Sequence, residues 1–547
     1  MSRRLLLCAA LAAFALGPQV GSLLFGAAAA YAQSVAGGTA TGTNSLAVGN
    51  GSAAPSTQST AVGDATAASG AASSAFGWNS IASGDTSVAI GNHAQSAAAA
   101  AEGVAVGNFA FVSGQNATAM GSQAQASGSN AAAFGAISTA SGVSSIAAGY
   151  LAAANSVGDI ATGAGAVAGA ISGAGGNIAI GADSGTVDGA AIPVSATAIG
   201  GDAIAVGTAS QGTGFKSTAL GAYSSATGNL SSAIGANSQA SSDFSSAFGE
   251  GSSASGNSAT ALGGASAASG IAATAVGYGG AASGNAASAL GANSYASGTG
   301  ATALGYLSTA SASYATATGT ASVASGSSGA AYGYKSNASG GFGVALGALS
   351  TASGNSSTAT GVFSAASANL TSAYGANSAA SGLNASAFGA NARAPAANSV
   401  AIGVGSTATR ANTVSVGAPG AERQITNVAA GTAGTDAVNV TQLNAALGAS
   451  LGQSVANLET QISENAKAAN AGIAEAAALG MIRYDDRPGK FSTGAAIGLH
   501  TGQAALALGA GYTTEDGRWR VSAGASLSPT NRNADATVGA SATYTWN

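Results

Sequence analysis

The sequence predicts a mainly β protein that consists of a repetitive parallel β-roll, a helical stalk and a set of C-terminal membrane-spanning strands. Three patterns support this prediction. Glycine recurs every 14 residues over most of the chain, apolar residues then follow a helical spacing, and four segments near the end alternate between large apolar and small or polar residues. Because each pattern occupies its own part of the chain, we expect three consecutive regions.

The composition excludes an ordinary globular protein. Only 6% of the 547 residues are charged, 85 are glycine, and the 46% counted as hydrophobic is mostly alanine. Such a chain cannot build a thick core, so its stability must come from stacked backbone ladders or from partner chains. The low charge and the seven prolines argue against disorder. A formal charge of −5 offers no basic surface, which argues against nucleic acid as a partner.

The N-terminus has the pattern of a secretory signal peptide over residues 1–32. Two arginines precede an apolar run, and a second apolar stretch ends at Ala32, so we expect cleavage between Ala32 and Gln33. The single cysteine, Cys8, lies inside this segment. The mature chain would therefore contain no disulfide bond, although an exported protein could form one.

The glycine repeat predicts the fold of residues 33–420. Most repeats share a small-x-Ala-apolar-Gly pattern, as at Ser217-Thr218-Ala219-Leu220-Gly221, with a weaker echo at Gly228. The columns of glycine are Gly49, Gly63, Gly77 and Gly91; Gly107, Gly121, Gly135, Gly149 and Gly163; and an unbroken series at steps of 14 from Gly207 to Gly417.

Two short alternating segments, each ended by a glycine that is free to adopt positive φ, describe two strands and two tight turns per coil. Stacked coils of this kind form a parallel β-roll, which at roughly 4.8 Å per coil extends on the order of 100 Å. We expect the column of Ala219 to fill the interior and the column of Leu220 to pack at least partly between chains, with the reverse assignment still open.

Residues 164–206 interrupt the 14-residue register. The comparable glycines Gly181 and Gly200 follow at steps of 18 and 19, and Pro193 lies between them. The interruption predicts an irregular looped insertion that projects from the roll. Such a loop is either a binding site or a tolerated insertion.

Two segments resemble a known family. The run from Asn398 to Gly403, with Ser406, matches the head-repeat motif N-S-V-A-I-G-x-x-S of YadA-type trimeric autotransporter adhesins, and the run from Asn44 to Ser52 matches it with conservative changes. In that family the head is a left-handed parallel β-roll trimer, and such motifs are associated with collagen binding. The other interpretation is a structural one, in which the motif forms a turn and core positions. The resemblance implies these candidate binding residues: Asn44, Ser45, Gly49, Ser52, Asn398, Ser399, Val400, Ala401, Ile402, Gly403 and Ser406.

The pattern changes after Gly417. Residues 421–443 resemble the neck of the same family, which joins a wide head to a narrow stalk. Apolar residues then follow each other at steps of 3 or 4 from Val440 to Ile473, with nine steps in 33 residues and a mean near 3.67. This spacing predicts a coiled-coil stalk over residues 444–478, and its period favours a right-handed supercoil.

Residues 479–547 contain four segments of period two, each about as long as a membrane-spanning strand. Four strands cannot close a barrel, and an open sheet edge is not tolerated in hydrocarbon. Three chains would supply a 12-stranded outer-membrane barrel whose lumen holds three helices. The segments place Phe491, Thr493, Ala495, Ile497 and Leu499 on the lipid face, for example, and they place Gly494, Gly498, Gly509, Gly511, Ser522, Gly524, Gly539 and Ser541 on the lumen face.

The family resemblance also assigns roles in the anchor. Gly498 corresponds to a family glycine that leaves space for chains that pass through the translocation pore, although a lumen-facing glycine can also relieve crowding between strands. Tyr544 and Trp546 resemble the aromatic end that the barrel-assembly machinery of the outer membrane recognises. The sequence thus predicts a cell outer membrane anchor, with the head and stalk at the cell surface.

The sequence predicts no enzyme, cofactor or metal site. Its two histidines, His93 and His500, are far apart and have no cysteines beside them in the mature chain. The favoured function is attachment to host cells or extracellular matrix and to sister cells. The alternatives are a passive surface coat that confers serum resistance, and binding of ice or polysaccharide surfaces by hydroxyl columns such as Ser224, Ser238, Ser252 and Ser266.

Overall fold

The computed structural model describes residues 32–169, 175–182, 195–529 and 536–546. The chain divides into two compact units, one up to Arg423 and one from Gln424. The first unit is a parallel β-solenoid, and the second contains one long helix and a four-stranded antiparallel sheet. The predicted mainly β fold, with roll, helix and C-terminal strands in that order, is confirmed.

The first unit is built from two parallel sheets of 27 and 25 strands. Most strands of the first sheet have three residues and recur every 14 residues. They are Gln33–Val35, the series from Leu46–Val48 to Val88–Ile90, the series from Val104–Val106 to Ile160–Thr162, Ile178–Ile180, the series from Ile204–Val206 to Val400–Ile402, and the final two-residue strand Val414–Ser415.

The strands of the second sheet have two residues each and alternate along the chain with those of the first. They are the series from Thr39–Ala40 to Gln95–Ser96, the series from Phe111–Val112 to Val167–Ala168, and the series from Thr197–Ala198 to Arg393–Ala394, all at steps of 14. Each coil therefore contributes one strand to each sheet, and it hydrogen-bonds to the coils before and after it, as a solenoid requires.

Alanine fills the interior between the two sheets. Ala219 pairs with Ala233 of the next coil, and both side chains are fully buried. On the same strand, Thr218 is half-buried and Leu220 is exposed, because successive side chains of a strand point to opposite faces. The interior is narrow enough that a methyl group occupies this position in coil after coil. The assignment of the alanine column to the interior is confirmed.

Glycine serves a different purpose at each of the two turns of a coil. Gly221, in the first turn, has a φ of 133°, and a methyl group on it would lie 2.6 Å from the carbonyl carbon of Gly235 in the next coil. Gly228, in the second turn, lacks a positive φ, but a methyl group there would overlap the carbonyl oxygen of Ser242. The left-handed residue of the second turn is Leu230, at φ 55°. The prediction that both glycines adopt positive φ is therefore right for the first turn and wrong for the second.

The roll continues through part of the irregular segment 164–206. Ile178–Ile180 pairs in parallel with Ile160–Thr162 on one side and with Ile204–Val206 on the other. Pro193 lies outside the described residues, so the predicted loop stays a prediction. The ladder of the first sheet thus crosses the interruption without losing its register.

Two buried polar residues join the coils at this interruption. Asp159 Oδ1 accepts hydrogen bonds at 3.0 Å from both the backbone N–H and the side-chain amide of Asn177. Asn177 Oδ1 accepts in turn from the N–H groups of Gly201 at 2.9 Å and Ala203 at 3.2 Å. Longer side chains therefore bridge coils at positions where a regular coil has a short serine such as Ser217.

The second unit contains the helix Val440–Met481 and four antiparallel strands. Neighbouring strands in sequence are neighbours in the sheet, so the first and last strands are its edges. The four anchor strands are Phe491–His500, Gln503–Thr513, Trp519–Leu527 and Ala536–Tyr544. Among the described residues, no helix has both the length and the apolar character needed to cross a membrane.

Candidate functional site

The outer surface of the roll carries a column of mostly large apolar side chains, which Ala148, Thr162, Thr318 and Thr360 interrupt. Each is the third residue of its first-sheet strand, and those with the greatest exposure leave between 36% and 48% of their surface open. This outer apolar column includes Phe76, Ile90, Met120, Phe134, Ile180, Leu220, Leu262, Leu290, Leu304, Tyr332, Leu346, Tyr374, Phe388 and Ile402. Neighbouring members touch along the ladder, as the stacked rings of Tyr374 and Phe388 do at 5.3 Å.

Five of the eleven motif residues predicted to bind a ligand are internal to the roll. Ser45, Ser52, Ser399, Ala401 and Ser406 are buried, so they have no surface for a ligand. The hydroxyl groups of the four serines donate to nearby backbone carbonyls. The burial of these five residues supports the structural interpretation of the motif.

The remaining motif residues lie at turns or on the outer face. Asn44 and Asn398 are exposed and have positive φ values of 59° and 53°, which asparagine tolerates better than most residues. The side-chain amide of Asn398 donates to Asn412 at 2.9 Å and its oxygen accepts from Asn384 at 3.0 Å. The leading asparagine of the motif is thus a turn residue and a rung of an amide ladder.

Four other motif positions follow from the same coil geometry. Gly49 and Gly403 have positive φ values at first turns. Val400 and Ile402 point outward from their strand, and Ile402 belongs to the outer apolar column. These positions can contact a second molecule only through the outer face of the first sheet.

The hydroxyl columns proposed to bind ice or polysaccharide are not on the surface. Ser224, Ser238, Ser252 and Ser266 are fully buried. Each donates its hydroxyl hydrogen at 2.8 Å to the carbonyl oxygen of the turn glycine three residues earlier. That prediction was wrong, because the residue after a left-handed turn position points into the coil and not away from it.

Three aromatic side chains of consecutive coils stack on the surface of the roll. The ring of His93 lies edge-on to Trp78 at 4.5 Å and parallel to Phe109 at 4.6 Å. Trp78 and Phe109 remain about half exposed. The exposed amides of Asn92 and Asn108 flank them, and Asn92 contacts the His93 ring. The sequence analysis missed this aromatic stack, because its members occupy two different turn positions.

An arginine closes the last coil of the roll. Arg423 Nη1 donates to Ser406 Oγ at 2.8 Å and to the carbonyl oxygen of Val416 at 2.7 Å, and Nη2 donates to the carbonyl oxygen of Val404. A solenoid end exposes backbone acceptors that no further coil can satisfy. The guanidinium group therefore caps this end of the ladder.

The predicted neck, residues 421–443, ends in the first turn of the helix. Asn439 is the N-cap, and it forms a capping box with Gln442. The Gln442 side chain also exchanges two hydrogen bonds of 2.9 Å with the backbone of Gly431. Asp436 accepts from the N–H groups of Thr432 and Ala433, which holds the pKa of its carboxyl below the ordinary value.

The anchor sheet has a large apolar face and a face of small residues. Phe491, Ile497, Leu499, Leu508 and Val538 point outward and are exposed. The opposite face receives the end of the helix and the segment after it. A methyl group on Gly494 would lie 2.6 Å from Ile482, one on Gly511 would lie 2.8 Å from Tyr484, and one on Gly524 would lie 3.0 Å from Leu479. The glycines of the small face make room for the chain.

Gly498 is the tightest of these contacts to the helix. A methyl group there would overlap the carbonyl oxygen of Ala474 and lie 2.6 Å from the amide nitrogen of Ala478. Both alanines are fully buried. The helix backbone therefore rests directly on the strand backbone at this point.

An aromatic cluster lies where the last strand ends. The ring of Tyr544 contacts Trp519 at 4.9 Å and Trp546 at 4.7 Å, and the side chain of Trp546 is 85% exposed. Aromatic side chains of this kind form the interfacial girdles of membrane barrels.

The cleavage position predicted between Ala32 and Gln33 precedes the first strand, and most of the predicted signal peptide lies outside the described residues.

The sequence analysis also missed a buried acid of the helix. Glu475 of the helix is 3% exposed, and its two carboxyl oxygens accept hydrogen bonds from Ser528 N–H at 2.8 Å and Thr537 Oγ at 2.6 Å. Its signal in the sequence is the helical spacing of Ala471, Ala474, Glu475 and Ala478, which forms a face distinct from the apolar seam.

Three family models match the chain in an order that agrees with these regions. The model for the coiled stalk of trimeric autotransporter adhesin matches residues 424–471, and the model for the YadA-like membrane anchor domain matches residues 483–546. The model for the YadA head domain repeat matches residues 40–66, 68–94, 113–136, 213–238, 226–252, 254–279, 282–308, 296–322, 338–364, 380–406 and 394–418. The chain belongs to the YadA-like trimeric autotransporter adhesins.

Two relatives of this YadA-like adhesin come from Brucella suis biovar 1. The chain is 47% identical over 88 residues to autotransporter adhesin BtaF, a match that covers 16% of this chain and 32% of BtaF. It is 37% identical over 134 residues to autotransporter adhesin BtaE, a match that covers 20% of this chain and 18% of BtaE. The chain thus spans a third or less of the length of these relatives.

Among solved structures, the YadA-like chain matches the crystal structure of the collagen-binding domain of Yersinia adhesin YadA. The identity is 24%, the match covers 50% of this chain and 97% of that one, and the TM-score is 0.16. At that score the two chains do not superpose as wholes.

The family is one of non-enzymatic adhesins, which agrees with the prediction from the sequence. The anchor match places the C-terminal region of this YadA-like chain in the outer membrane and its head and stalk at the cell surface. Within the part of the chain that the structure describes, no three His, Cys, Asp or Glu residues are grouped as metal ligands.

Proposed function

We propose that this chain is a bacterial surface adhesin that assembles as a homotrimer, exports its head through its own anchor and attaches the cell to host cells or extracellular matrix. The observation that carries the proposal is the incomplete anchor sheet, whose strands Phe491–His500 and Ala536–Tyr544 each have one neighbour. Open edges leave backbone groups without partners in hydrocarbon. Three copies supply the 12 strands of a closed barrel, with a lumen that has room for three helices.

Two further surfaces support a homotrimer. The outer apolar column extends from Phe76 to Ile402 with a few interruptions, and exposed apolar patches on this scale mark contact with another molecule. The apolar seam of the helix, which includes Leu443, Leu451 and Ile462, is more than half exposed in one chain. A coiled coil with two sister chains would bury this seam.

Adhesion is supported by exposed aromatic residues at the turns of the roll. The aromatic stack lies at one end, and single rings such as Tyr278, Tyr314 and Phe342 are 67% or 68% exposed farther along. A single ring of this kind would bind a ligand only weakly. A trimer displays each ring three times, and this multivalency raises the overall affinity for a surface. The same surfaces would hold sister cells together.

The aromatic end of the anchor supports a role in assembly. Tyr544 and Trp546 lie together at the end of the last strand, as a signal read by barrel-assembly machinery requires. No cofactor is needed for any of these steps, because attachment and assembly involve no covalent chemistry.

The proposal is tested by expressing the full-length chain in a non-adherent Gram-negative host. Cells are scored for trimers in outer-membrane extracts, for head exposure with an antibody, and for attachment to host cells and to surfaces coated with collagen and other matrix proteins. A variant without residues 33–420 is the control for attachment through the anchor alone. Surface-exposed trimers that confer neither attachment nor autoaggregation would contradict the adhesin function.

The second candidate function is a passive surface coat that protects the cell from serum. It is favoured by the sparse charge of the roll surface, since only 6% of the chain is charged. The coat predicts that expression raises survival in serum without any change in attachment. The same strains measured in serum distinguish the two functions.

A further inference from the structure

Glu475 is the one acid of the stalk helix that its own chain buries. Glu459 and Glu464 of the same helix are exposed, as expected for acids on a stalk. Burial of a carboxyl group is unfavourable unless hydrogen bonds replace its water. Here each carboxyl oxygen has a donor from the anchor sheet.

The two donors come from different strands. Ser528 follows the third anchor strand, and its backbone N–H donates to Glu475 Oε1 at 2.8 Å. Thr537 is the second residue of the fourth anchor strand, and its hydroxyl donates to Oε2 at 2.6 Å. Ser528 also donates its own hydroxyl to the carbonyl oxygen of Ala504 in the second strand, at 2.8 Å. One side chain of the helix is therefore connected to three strands.

The position of Glu475 coincides with the closest approach of helix and sheet. Ala474 and Ala478, on either side of it, are the residues whose backbone atoms meet Gly498. A helix can slide along a face that is lined only by glycine and alanine, because such a face offers shape but no directional bond. The hydrogen bonds of Glu475 set one axial position and one rotation.

We infer that Glu475 is a positioning residue that holds the helix at one position against the small face of the anchor sheet. By holding the helix there, it keeps the pore closed once the head has been exported. This inference rests on the proposed export through a trimeric anchor. While the chain passes through the pore, the helix is absent from the small face and Glu475 is hydrated. When the helix reaches its final position, the hydrogen bonds from Ser528 and Thr537 replace those from water. Three copies would give three such locks around the lumen.

The test uses the full-length protein in outer membranes, with Glu475→Ala as the main variant. Removal of one buried hydrogen-bonded group shifts an equilibrium by about tenfold, so about tenfold more anchors are expected to be open. Cells should then admit vancomycin more readily and become correspondingly more sensitive to it. The amount of head on the surface should stay as in the wild type, because the lock acts after export.

Two variants separate a lock from a general effect on the helix. Glu464→Ala makes the same change at an exposed site and should leave vancomycin sensitivity unchanged. Glu475→Gln keeps one accepting oxygen, and its amide can donate to a rotated Thr537 hydroxyl, so it should restore most of the closed state. Wild-type sensitivity in Glu475→Ala would overturn the inference, as would equal leakage in Glu464→Ala.

A double-mutant comparison tests the specific contact even where Glu475→Ala assembles poorly. Thr537→Val removes one donor, and in combination with Glu475→Ala it should add little to the leak, because both variants break the same bond. Additive effects would overturn the inference. Failure of the proposed function is distinct from this outcome, since the wild-type chain itself would then lack surface-exposed head or trimers.

Discussion

Gly498 of the first anchor strand lies directly against Ala474 of the stalk helix, so closely that a methyl group on the glycine would overlap the alanine carbonyl oxygen. The contact is between two backbones, so no flexible side chain could move aside to make room for a methyl group. The helix backbone is therefore held directly against the strand backbone at this point.

Gly498→Ala is expected to lower the heat stability of the assembled anchor and the amount of head on the surface. Its methyl group forces the helix away from the sheet and weakens the contacts of Ala474 and Ala478. The measurement is the temperature at which the trimer dissociates on a gel, together with antibody labelling of the head. Gly539→Ala is the matched control, because a methyl group there meets only Leu479, at 3.9 Å.

Ala373→Val is expected to destabilise the roll by about 1–3 kcal/mol, which is the usual effect of overfilling a packed core. Ala373 is fully buried between coils that also present alanine at this position. The loss is measured by the thermal unfolding of the head signal in the full-length protein. Ala376→Val, at an exposed turn of the same coil, should unfold as the wild type does.

Trp78→Ala combined with Phe109→Ala is expected to reduce attachment several-fold without loss of surface display. These rings provide large, half-exposed contact surfaces that His93 holds in place. Attachment of cells to host cells and matrix is compared at equal head labelling. Phe342→Ala removes an exposed ring outside the stack, and an equal loss in that variant would refute a special role for the stack.

Asn398→Ala is expected to loosen the final coils and to leave attachment per displayed head unchanged. The substitution places a less tolerant residue at φ 53° and removes two rungs of the amide ladder. Protease resistance of the roll near residue 398 reports the loosening. Lost attachment with unchanged protease resistance would point instead to a direct ligand contact by this asparagine.

Acid is expected to weaken the neck through Asp436. The N–H groups of Ala433 and Thr432 lower the pKa of this carboxyl in the folded state, so its contribution is present above the unfolded pKa and is lost as the pH falls through the folded one. Trimer dissociation temperature is measured at neutral pH and at about pH 3. Asp436→Asn should be less stable at neutral pH and should lose less on acidification, whereas Glu464→Gln should follow the wild type.

The roll illustrates how far the sequence leads. The period of 14 predicted the coil, and alternation at Thr218, Ala219 and Leu220 separated the two faces of the strand, because successive side chains point to opposite faces. The structure then showed that the alanine face is the interior one. The serine columns show the limit. Serine is usually a surface residue, and Ser224 was predicted to be one. Tyr223, which precedes it, has a positive φ, and the hydroxyl group of Ser224 therefore points into the coil.

The anchor and the surface depend more on tertiary structure. The small face of the sheet and a helix in the lumen were predicted from the period of two, but the contacts of Ile482 and Tyr484 were not, because these residues come from a segment without regular pattern. The aromatic stack was not predicted from the sequence either. Trp78 and His93 occupy different positions in their turns, so the repeat alone does not show that their rings meet.

By itself, the sequence determined the order of regions, the repeat and the family, because each depends on local periodicity or on a contiguous motif. Only the tertiary structure decided which hydroxyl groups are buried, which aromatic rings meet and which acid enters the anchor. These depend on distances between residues that are far apart in the chain, as Glu475 and Thr537 are. Periodicity records the direction of a side chain along its own element, and it carries no information about the partner that the fold brings to it.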